Sequence, residues 1–134
     1  MNTIAVEVVT PDRIVYRGDA RIVVARGIEG DLGILPNHIP MVTPLKIAPV
    51  LVKKQDDKED EAIAVSGGIM EVRKDKVTIL AETAELGEEI DVARAIAAKE
   101  RAERLLAESK DNVDFKRAEL ALERALARIS AGRK

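Results

Sequence analysis

The chain has 134 residues, a formal net charge of -2 and 46% hydrophobic residues, which is typical of one soluble domain or two small ones. It has no cysteine, which excludes a disulfide framework, a thiolate zinc site and a cysteine nucleophile. The negative charge and the near absence of aromatic residues argue against nucleic-acid binding, and no apolar run approaches the ~18 residues of a membrane span. We therefore expect a cytosolic protein with an aliphatic core and no direct membrane insertion.

Residues 1–87 alternate apolar and polar side chains along short segments that are separated by glycine and proline, as β-strands do. The alternation predicts strands at residues 4–9, 14–16, 20–24, 41–45, 46–52, 61–65, 69–72 and 77–81. Turns are expected at residues 17–19, 55–60, 66–68 and 74–75. Many short strands at this spacing predict a sandwich or a barrel, and we expect an antiparallel β-sandwich.

Residues 30–41 form the loop that is richest in conformationally special residues. Gly33 is expected to take a positive φ, Pro36 and Pro40 fix their own φ, and Asn37 tolerates the left-handed region. The loop should therefore be a stiff, apolar surface. It is not a phosphate-binding P-loop, because no Gly-Lys-Ser/Thr follows the glycines.

His38 is the only histidine of the chain, which raises the question of a catalytic role. No serine or carboxylate stands at a recognisable motif spacing from it. We therefore favour a structural or interface role for His38 over a catalytic one.

The pattern changes at residues 88–95, after which apolar residues recur every three or four positions. Asp91 is placed to cap a helix that runs to about residue 108, and a second helix is expected to begin near Asn112 or Asp114. The short polar connector at 109–112 predicts that the helices double back as an antiparallel helical hairpin. The inward stripes are expected to be Ala95, Ala98, Ala102 and Leu105 on the first helix, and Phe115, Ala118, Leu122, Ala125 and Ile129 on the second.

The predicted fold is therefore α+β in two parts, a β-sandwich at residues 1–87 and the helical hairpin at residues 88–134. Alanine-rich contacts bury little surface, so the helical hairpin should open at small cost. A hairpin that is permanently closed on the sandwich fits the pattern equally well.

Four arginines are expected to face one another across the helical hairpin, with Arg94 opposite Arg128 and Arg101 near Arg124. Like charges four residues apart repel, so such a cluster favours an anion such as a polyphosphate. The alternative is a solvated basic face that pairs with the carboxylates of Glu100, Glu103 and Glu123.

Three blocks of the sequence together resemble the epsilon subunits of bacterial F-type ATP synthases. Residues 33–40, G-I-L-P-N-H-I-P, resemble the family loop, with Asn37 where many members carry glycine. Residues 64–68, with Glu71 and Val72, resemble its hairpin block. Residues 90–95, I-D-V-A-R-A, match the motif of the members that bind ATP, and residues 115–122 are similar to the Bacillus-type C-terminal helix.

This resemblance implies a non-catalytic subunit of the central-stalk rotor, which couples proton-driven rotation to ATP synthesis. Its sandwich would bind the gamma subunit and the c-ring, through a surface that includes Gly33, Pro36, His38 and Pro40. The isolated protein would be a monomer, and in the cell it would be peripheral, in the F1 sector at the cytoplasmic face of the bacterial cell membrane.

The resemblance also implies that the helices inhibit ATP hydrolysis when they extend into the alpha/beta catalytic hexamer. In that state we expect Lys116, Arg117, Arg124 and Arg128 to be free to contact acidic surface on the catalytic subunits. ATP, as a regulatory ligand, would favour the folded form, and the sequence leaves open whether Mg²⁺ accompanies it. The implied ATP contacts are Glu85, Ile90, Asp91, Arg94, Ala95, Arg101, Arg124 and Arg128. The alternative is a gamma and c-ring adaptor whose helical hairpin is only a brace. An enzyme is a distant third, because the sequence shows no P-loop, metal-ligand spacing or nucleophile motif.

Overall fold

The computed structural model describes residues 2–55 and 58–133. The strands are β1 (Ile4–Val9), β2 (Ile14–Ala20), β3 (Ile22–Gly27), β4 (Gly30–Ile34), β5 (Met41–Lys53), β6 (Glu61–Val72), β7 (Lys76–Ala81) and β8 (Ala84–Leu86). A 3-10 turn (Gly87–Glu89) then leads to the helices α1 (Val92–Glu108) and α2 (Asn112–Gly132). The predicted fold class, a β-sandwich followed by a two-helix hairpin, is confirmed.

The strands form a sheet in the order β2-β1-β7-β6-β5-β3-β4, with β8 added to β6. Neighbouring strands are antiparallel, except that β1 and β7 run parallel, which the alternation pattern did not predict. One aliphatic core collects inward residues from every strand, including Val6, Val23, Ile63 and Ile79. The sheet therefore folds over a single core as a sandwich.

The two longest strands, β5 and β6, pair along their lengths and carry the sheet from one layer to the other. The buried side chains of β5 change their alternation along the strand. Leu45 is buried at an odd position, whereas the later buried residues, Ala48, Val50 and Val52, are at even positions. This change of phase is the reason why the sequence predicted two strands, at 41–45 and 46–52. The structure corrects that prediction, because the backbone stays paired across the change.

The predicted turn at Ser66-Gly67-Gly68 is wrong, because these residues lie inside β6. Gly67 and Gly68 have φ of 82° and 145°, and at this point β6 changes its partner from β8 to β7. The glycines therefore bend a continuous strand. The chain reverses only after β6, at residues 73–75, which include the predicted turn at 74–75, and β7 and β8 then run in the same direction along β6.

Other differences lie at the edges of the sheet. β2 continues through the predicted turn at 17–19 and ends at Ala20, so β3 begins two residues later than expected. β4 was not predicted, and Gly33 lies in it without a positive φ, whereas Asn37 has the expected left-handed φ of 68°. The predicted turn at 55–60 joins β5 to β6, and its residues 56 and 57 lie outside the described residues.

α1 begins at its predicted cap, whereas the cap of α2 lies in the stretch that was predicted only as the connector. The Asp91 Oδ1 atom accepts a hydrogen bond of 3.1 Å from the Arg94 backbone N–H, and Asp111 caps α2 in the same way at 2.8 Å. The last residue of α2, Gly132, lies against Val92 at the start of α1, so the helices are antiparallel as predicted.

Alanines form the contact surfaces of the helices. The buried helical residues are Ala95, Ala102, Ala118, Ala125, Ala127 and Ala131. Ala131 packs on Ala62 and Ala64, on the outer face of β6. Two predicted members of the inward stripes are exposed instead, Leu105 at 55% and Phe115 at 48%, because the tip of the hairpin projects beyond the sandwich. Only α2 makes extensive contact with the strands.

The bend in β6 generates a stability prediction. A Cβ on Gly68 would collide with the Leu80 carbonyl oxygen, whereas a Cβ on Gly67 would meet nothing closer than 3.8 Å. Gly68→Ala should therefore lower the free energy of unfolding by about 3 kcal/mol, against about 1 kcal/mol for Gly67→Ala, which carries only the strain of its positive φ. Urea unfolding followed by Tyr16 fluorescence measures both, and equal losses would contradict the steric account.

Candidate functional site

The site lies where the sandwich ends and the helices begin. After β8, the 3-10 turn places Ile90 in an extended conformation, and the Ile90 backbone N–H donates to the Gly87 carbonyl at 3.2 Å. Asp91 follows as the cap of α1. The C-terminal end of α2 passes beside this junction, so three elements meet within a few residues.

These elements enclose an open cleft of about 470 Å³. Its walls are Glu85 from β8, Glu89, Ile90 and Asp91 from the junction, Arg94, Ala95, Ala98 and Arg101 from α1, and Arg128 from α2. The structure thus brings together seven of the eight residues that the sequence assigned to a nucleotide site. The eighth, Arg124, lines a neighbouring cavity of about 100 Å³, which shares Glu85 and Arg128 with the cleft.

Sequence reasoning missed two residues of the cleft, Glu89 and Ala98. Ala98 was placed on the inward stripe of α1, and its spacing of three from Ala95 and from Arg101 is the signal that would have added it. Glu89 lies on the 3-10 turn, whose direction no periodicity in the sequence indicates.

The charges of the cleft are only partly compensated within the protein. Arg128 Nε donates to Glu85 Oε1 at 2.7 Å, which ties α2 to β8. Among the residues that the structure describes, Arg94 and Arg101 form no ion pair, and neither do Glu100, Glu103 and Glu123. The cleft thus has three acidic and three basic side chains in its lining, of which only Arg128 and Glu85 pair within the described part of the chain, and the guanidinium groups of Arg94 and Arg101 are left to contact an anionic ligand.

The described residues contain no group of three or more metal-ligating side chains close enough to share a metal ion. Likewise, no helix within the described ranges is both long and apolar enough to cross a membrane.

A second surface lies on the outer face of the sandwich, away from the helices. The strand registers align Pro44, Ile69, Leu80, Val9 and Ile14 in one row across β5, β6, β7, β1 and β2. We call these five residues the apolar row. Leu80 is 53% exposed and Ile69 is 47% exposed. Exposed apolar side chains that adjoin in this way are typical of protein contact surfaces.

The neighbouring row on the same face is mostly polar. It aligns Val42, Glu71, Thr78, Glu7 and Arg17. Arg17 donates to Glu7 Oε2, and the Arg17 and Lys76 cations together lower the pKa of the Glu7 carboxyl against the opposing effect of burial. The apolar row therefore has a charged border.

The residues that the sequence assigned to partner binding fall in two separate places. Pro36, His38 and Pro40 lie in the loop after β4, beside the exposed side chains of Leu35 and Ile39, and Gly33 lies in β4 itself. The loop is held by a hydrogen bond from the Asn37 backbone N–H to the Lys74 carbonyl, and His38 Nδ1 lies 2.7 Å from the Ile39 carbonyl. Lys116, paired with Glu119, and Arg117 lie instead near the tip of the helical hairpin.

The fold is that of a two-part chain, a β-sandwich followed by an antiparallel helical hairpin, and sequence comparisons assign both parts to one family. The family described as "ATP synthase, Delta/Epsilon chain, beta-sandwich domain" matches residues 3–87, and the family described as "ATP synthase, Delta/Epsilon chain, long alpha-helix domain" matches residues 88–132. The chain belongs to the delta/epsilon family of ATP synthase subunits, and within it to the epsilon chains of the Bacillus type.

Similar proteins support this assignment along the whole chain. The ATP synthase epsilon chain of Brevibacillus brevis is 61% identical over 114 residues, which cover 85% of this chain and 86% of that one. The epsilon chain of Bacillus licheniformis is 56% identical over 133 residues, with 99% and 100% coverage. A chain in the mitochondrial ATP synthase structure of Euglena gracilis has the same fold, with a TM-score of 0.83, 24% identity, and 100% and 83% coverage.

The cap of α1 yields a prediction. Asp91→Ala should lower the stability of the docked helix by about 1 kcal/mol, because it removes the acceptor for an N–H group of the first turn. Asp91→Asn is the matched control, because it keeps the acceptor and removes the charge. Amide hydrogen exchange of residues 92–95 should be faster in Asp91→Ala and nearly unchanged in Asp91→Asn. Equal acceleration in both variants would assign the effect to the charge rather than to the cap.

Proposed function

We propose that this epsilon chain is a non-catalytic regulatory subunit of the central-stalk rotor, which helps couple proton-driven rotation to ATP synthesis and senses ATP through its helical hairpin. The family assignment supports membership of an ATP synthase. The observation that carries the sensing role is the cleft, because its walls come from β8, the junction, α1 and α2 together.

The physical basis of sensing is differential affinity. A ligand shifts an equilibrium between two conformations only as far as it binds one of them more tightly. ATP in the cleft would touch Arg94 and Arg101 on α1 and Arg128 on α2 at once, and that is possible only while the helices are folded together. Bound ATP therefore favours the docked form. Guanidinium groups suit the triphosphate oxygens through charge-assisted hydrogen bonds.

In the extended form the same helices would reach the alpha/beta catalytic hexamer and inhibit ATP hydrolysis. Lys116, Arg117, Arg124 and Arg128 would then be free to meet acidic surface. The cations at Arg124 and Arg128 would thus serve two competing partners, ATP in the docked form and the catalytic subunits in the extended form. This competition restrains hydrolysis when ATP is scarce.

The rotor contacts belong to the sandwich. The apolar row supports a fixed protein interface, which we assign to the gamma subunit, because it stays exposed whether or not the helices are docked. The loop after β4, with exposed Leu35 and Ile39, is assigned to the c-ring. These contacts would hold the protein at the cytoplasmic face of the bacterial cell membrane without inserting it.

The nucleotide site is tested by calorimetric titration of ATP into the isolated protein. Arg94→Ala and Arg101→Ala should each weaken binding by roughly 10- to 100-fold, the loss expected for one hydrogen bond to a charged group. Arg104→Ala is the matched control, because Arg104 is exposed on α1 and does not line the cleft.

No saturable binding at millimolar ATP, or an equal loss in the Arg104 variant, would remove the sensing role and leave the helical hairpin as a brace. That alternative also predicts inhibition of the assembled enzyme at every ATP concentration. Titrations with and without Mg²⁺ would decide whether the ion accompanies the nucleotide.

The gamma interface is tested on the apolar row. Leu80→Lys should weaken binding to purified gamma subunit by at least about tenfold, because it buries a charge at an apolar contact. Thr78→Lys adds the same side chain to the same face of β7, in the polar row between Glu71 and Glu7, and should bind nearly as the unmodified protein does. Unchanged binding of both variants in surface plasmon resonance would place the gamma contact elsewhere.

A further inference from the structure

Two glycines lie where the C-terminal end of α2 meets the rest of the protein, Gly87 in the 3-10 turn and Gly132 at the end of α2 itself. A Cβ on Gly87 would lie 2.5 Å from the Ala131 carbonyl oxygen and 3.0 Å from the Ala62 carbonyl oxygen. A Cβ on Gly132 would lie 2.7 Å from Val92 Cγ2 and 3.4 Å from Ile90 Cγ2. The end of α2 is therefore enclosed between the 3-10 turn, β6 and the first turn of α1, at distances that only glycine permits.

We propose that Gly87 and Gly132 form a steric latch, which holds the C-terminal end of α2 against the sandwich and must be released before the helical hairpin can leave. The contacts on both sides are stiff. The Gly87 side meets backbone carbonyls, and the Gly132 side meets Val92, whose branched side chain has little rotational freedom. Tight packing of this kind has two states, closed or released, because it does not deform gradually.

Ile90 connects the latch to the cleft. Its side chain packs against the cluster that Ala62, Ala64 and Ala131 form, and it lies next to Gly132. The same residue lines the cleft beside Asp91 and Arg94. A ligand that fills the cleft would hold Ile90 in place and thereby keep the latch closed. This coupling rests on the proposed nucleotide site, whereas the latch itself does not.

The test uses a thiol as a reporter of docking. The chain contains no cysteine, so a single Ala64→Cys change places the only thiol beneath α2 on the outer face of β6, next to a small cavity with room for the sulfur atom. The rate of thiol labelling then follows the population in which α2 has lifted from the sheet. The parallel change Ala25→Cys reports on the sandwich core, where Ala25 is fully buried.

In the full chain without nucleotide, Gly132→Ala should accelerate labelling of Cys at position 64 by about tenfold and leave labelling at position 25 unchanged. Adding Val92→Ala should restore the slow rate, because it removes the methyl group that Ala at 132 would strike. Gly87→Ala should accelerate labelling similarly, but Val92→Ala should not rescue it, because its clash is with backbone.

The helix propensities of alanine and glycine predict opposite effects of Gly132→Ala on the labelling rate with and without the latch. Alanine favours a helix more than glycine does, so without a latch Gly132→Ala would slow labelling or leave it unchanged, and either result would overturn the proposal. Equal acceleration at positions 25 and 64 would also overturn it, because that would show general unfolding. Failure of Val92→Ala to rescue Gly132→Ala would refute the assigned contact.

The coupling is tested by repeating the measurement with ATP. If the latch and the cleft are linked through Ile90, saturating ATP should slow labelling at position 64, and Gly132→Ala should weaken the apparent ATP affinity in proportion to the lost docked population. ATP that binds the cleft without slowing the labelling would overturn the coupling. Absence of ATP binding to the unmodified protein would refute the proposed sensing role, while the labelling without nucleotide would still decide the latch.

Discussion

Small residues set the distance between α2 and the sandwich, and the arrangement of the whole helical half depends on that distance. Every buried residue of α2 is an alanine, and the sheet beneath offers Ala62 and Ala64. Backbones can approach this closely only where no larger side chain separates them, as at Gly87 and Gly132. The same closeness brings α1, α2 and β8 around one cleft. A larger residue at the contact would move the arginines of α2 away from those of α1.

The alanine contact also sets the energy scale of opening. One buried methyl group contributes about 0.8 kcal/mol, roughly a third of what a buried leucine contributes. A ligand present at a hundred times its dissociation constant stabilises the form that it binds by about 2.7 kcal/mol. Docking through alanines is therefore of the same order as the free energy that one bound nucleotide supplies. A leucine-lined contact would exceed it and fix the helices in place.

Local chemistry explains what the sequence could predict. Caps, alternation and the change of period at residue 88 depend on neighbours along the chain, so both helices, the Asp91 cap and the strands β1, β3 and β7 were predicted close to their observed positions. Seven residues of the cleft were anticipated together, partly through helix spacing and partly through family resemblance. The bend at Gly67 and Gly68, the parallel pairing of β1 with β7, and β4 depend on partners distant in sequence, and no local pattern encodes them. Glu89 was missed for the same reason.

The division of the apolar residues explains how one chain can combine a fixed part with a movable one. Among the residues that the structure describes, the sandwich core draws on all eight strands and contains no residue of α1 or α2. Departure of α2 would uncover the small outer-face cluster around Ala62, Ala64 and the partly buried Leu51. The apolar row lies on the other layer and would keep its geometry. The apolar row shares no side chain with the cluster that α2 covers. The sandwich can therefore remain bound to a partner through the apolar row while the helices change position.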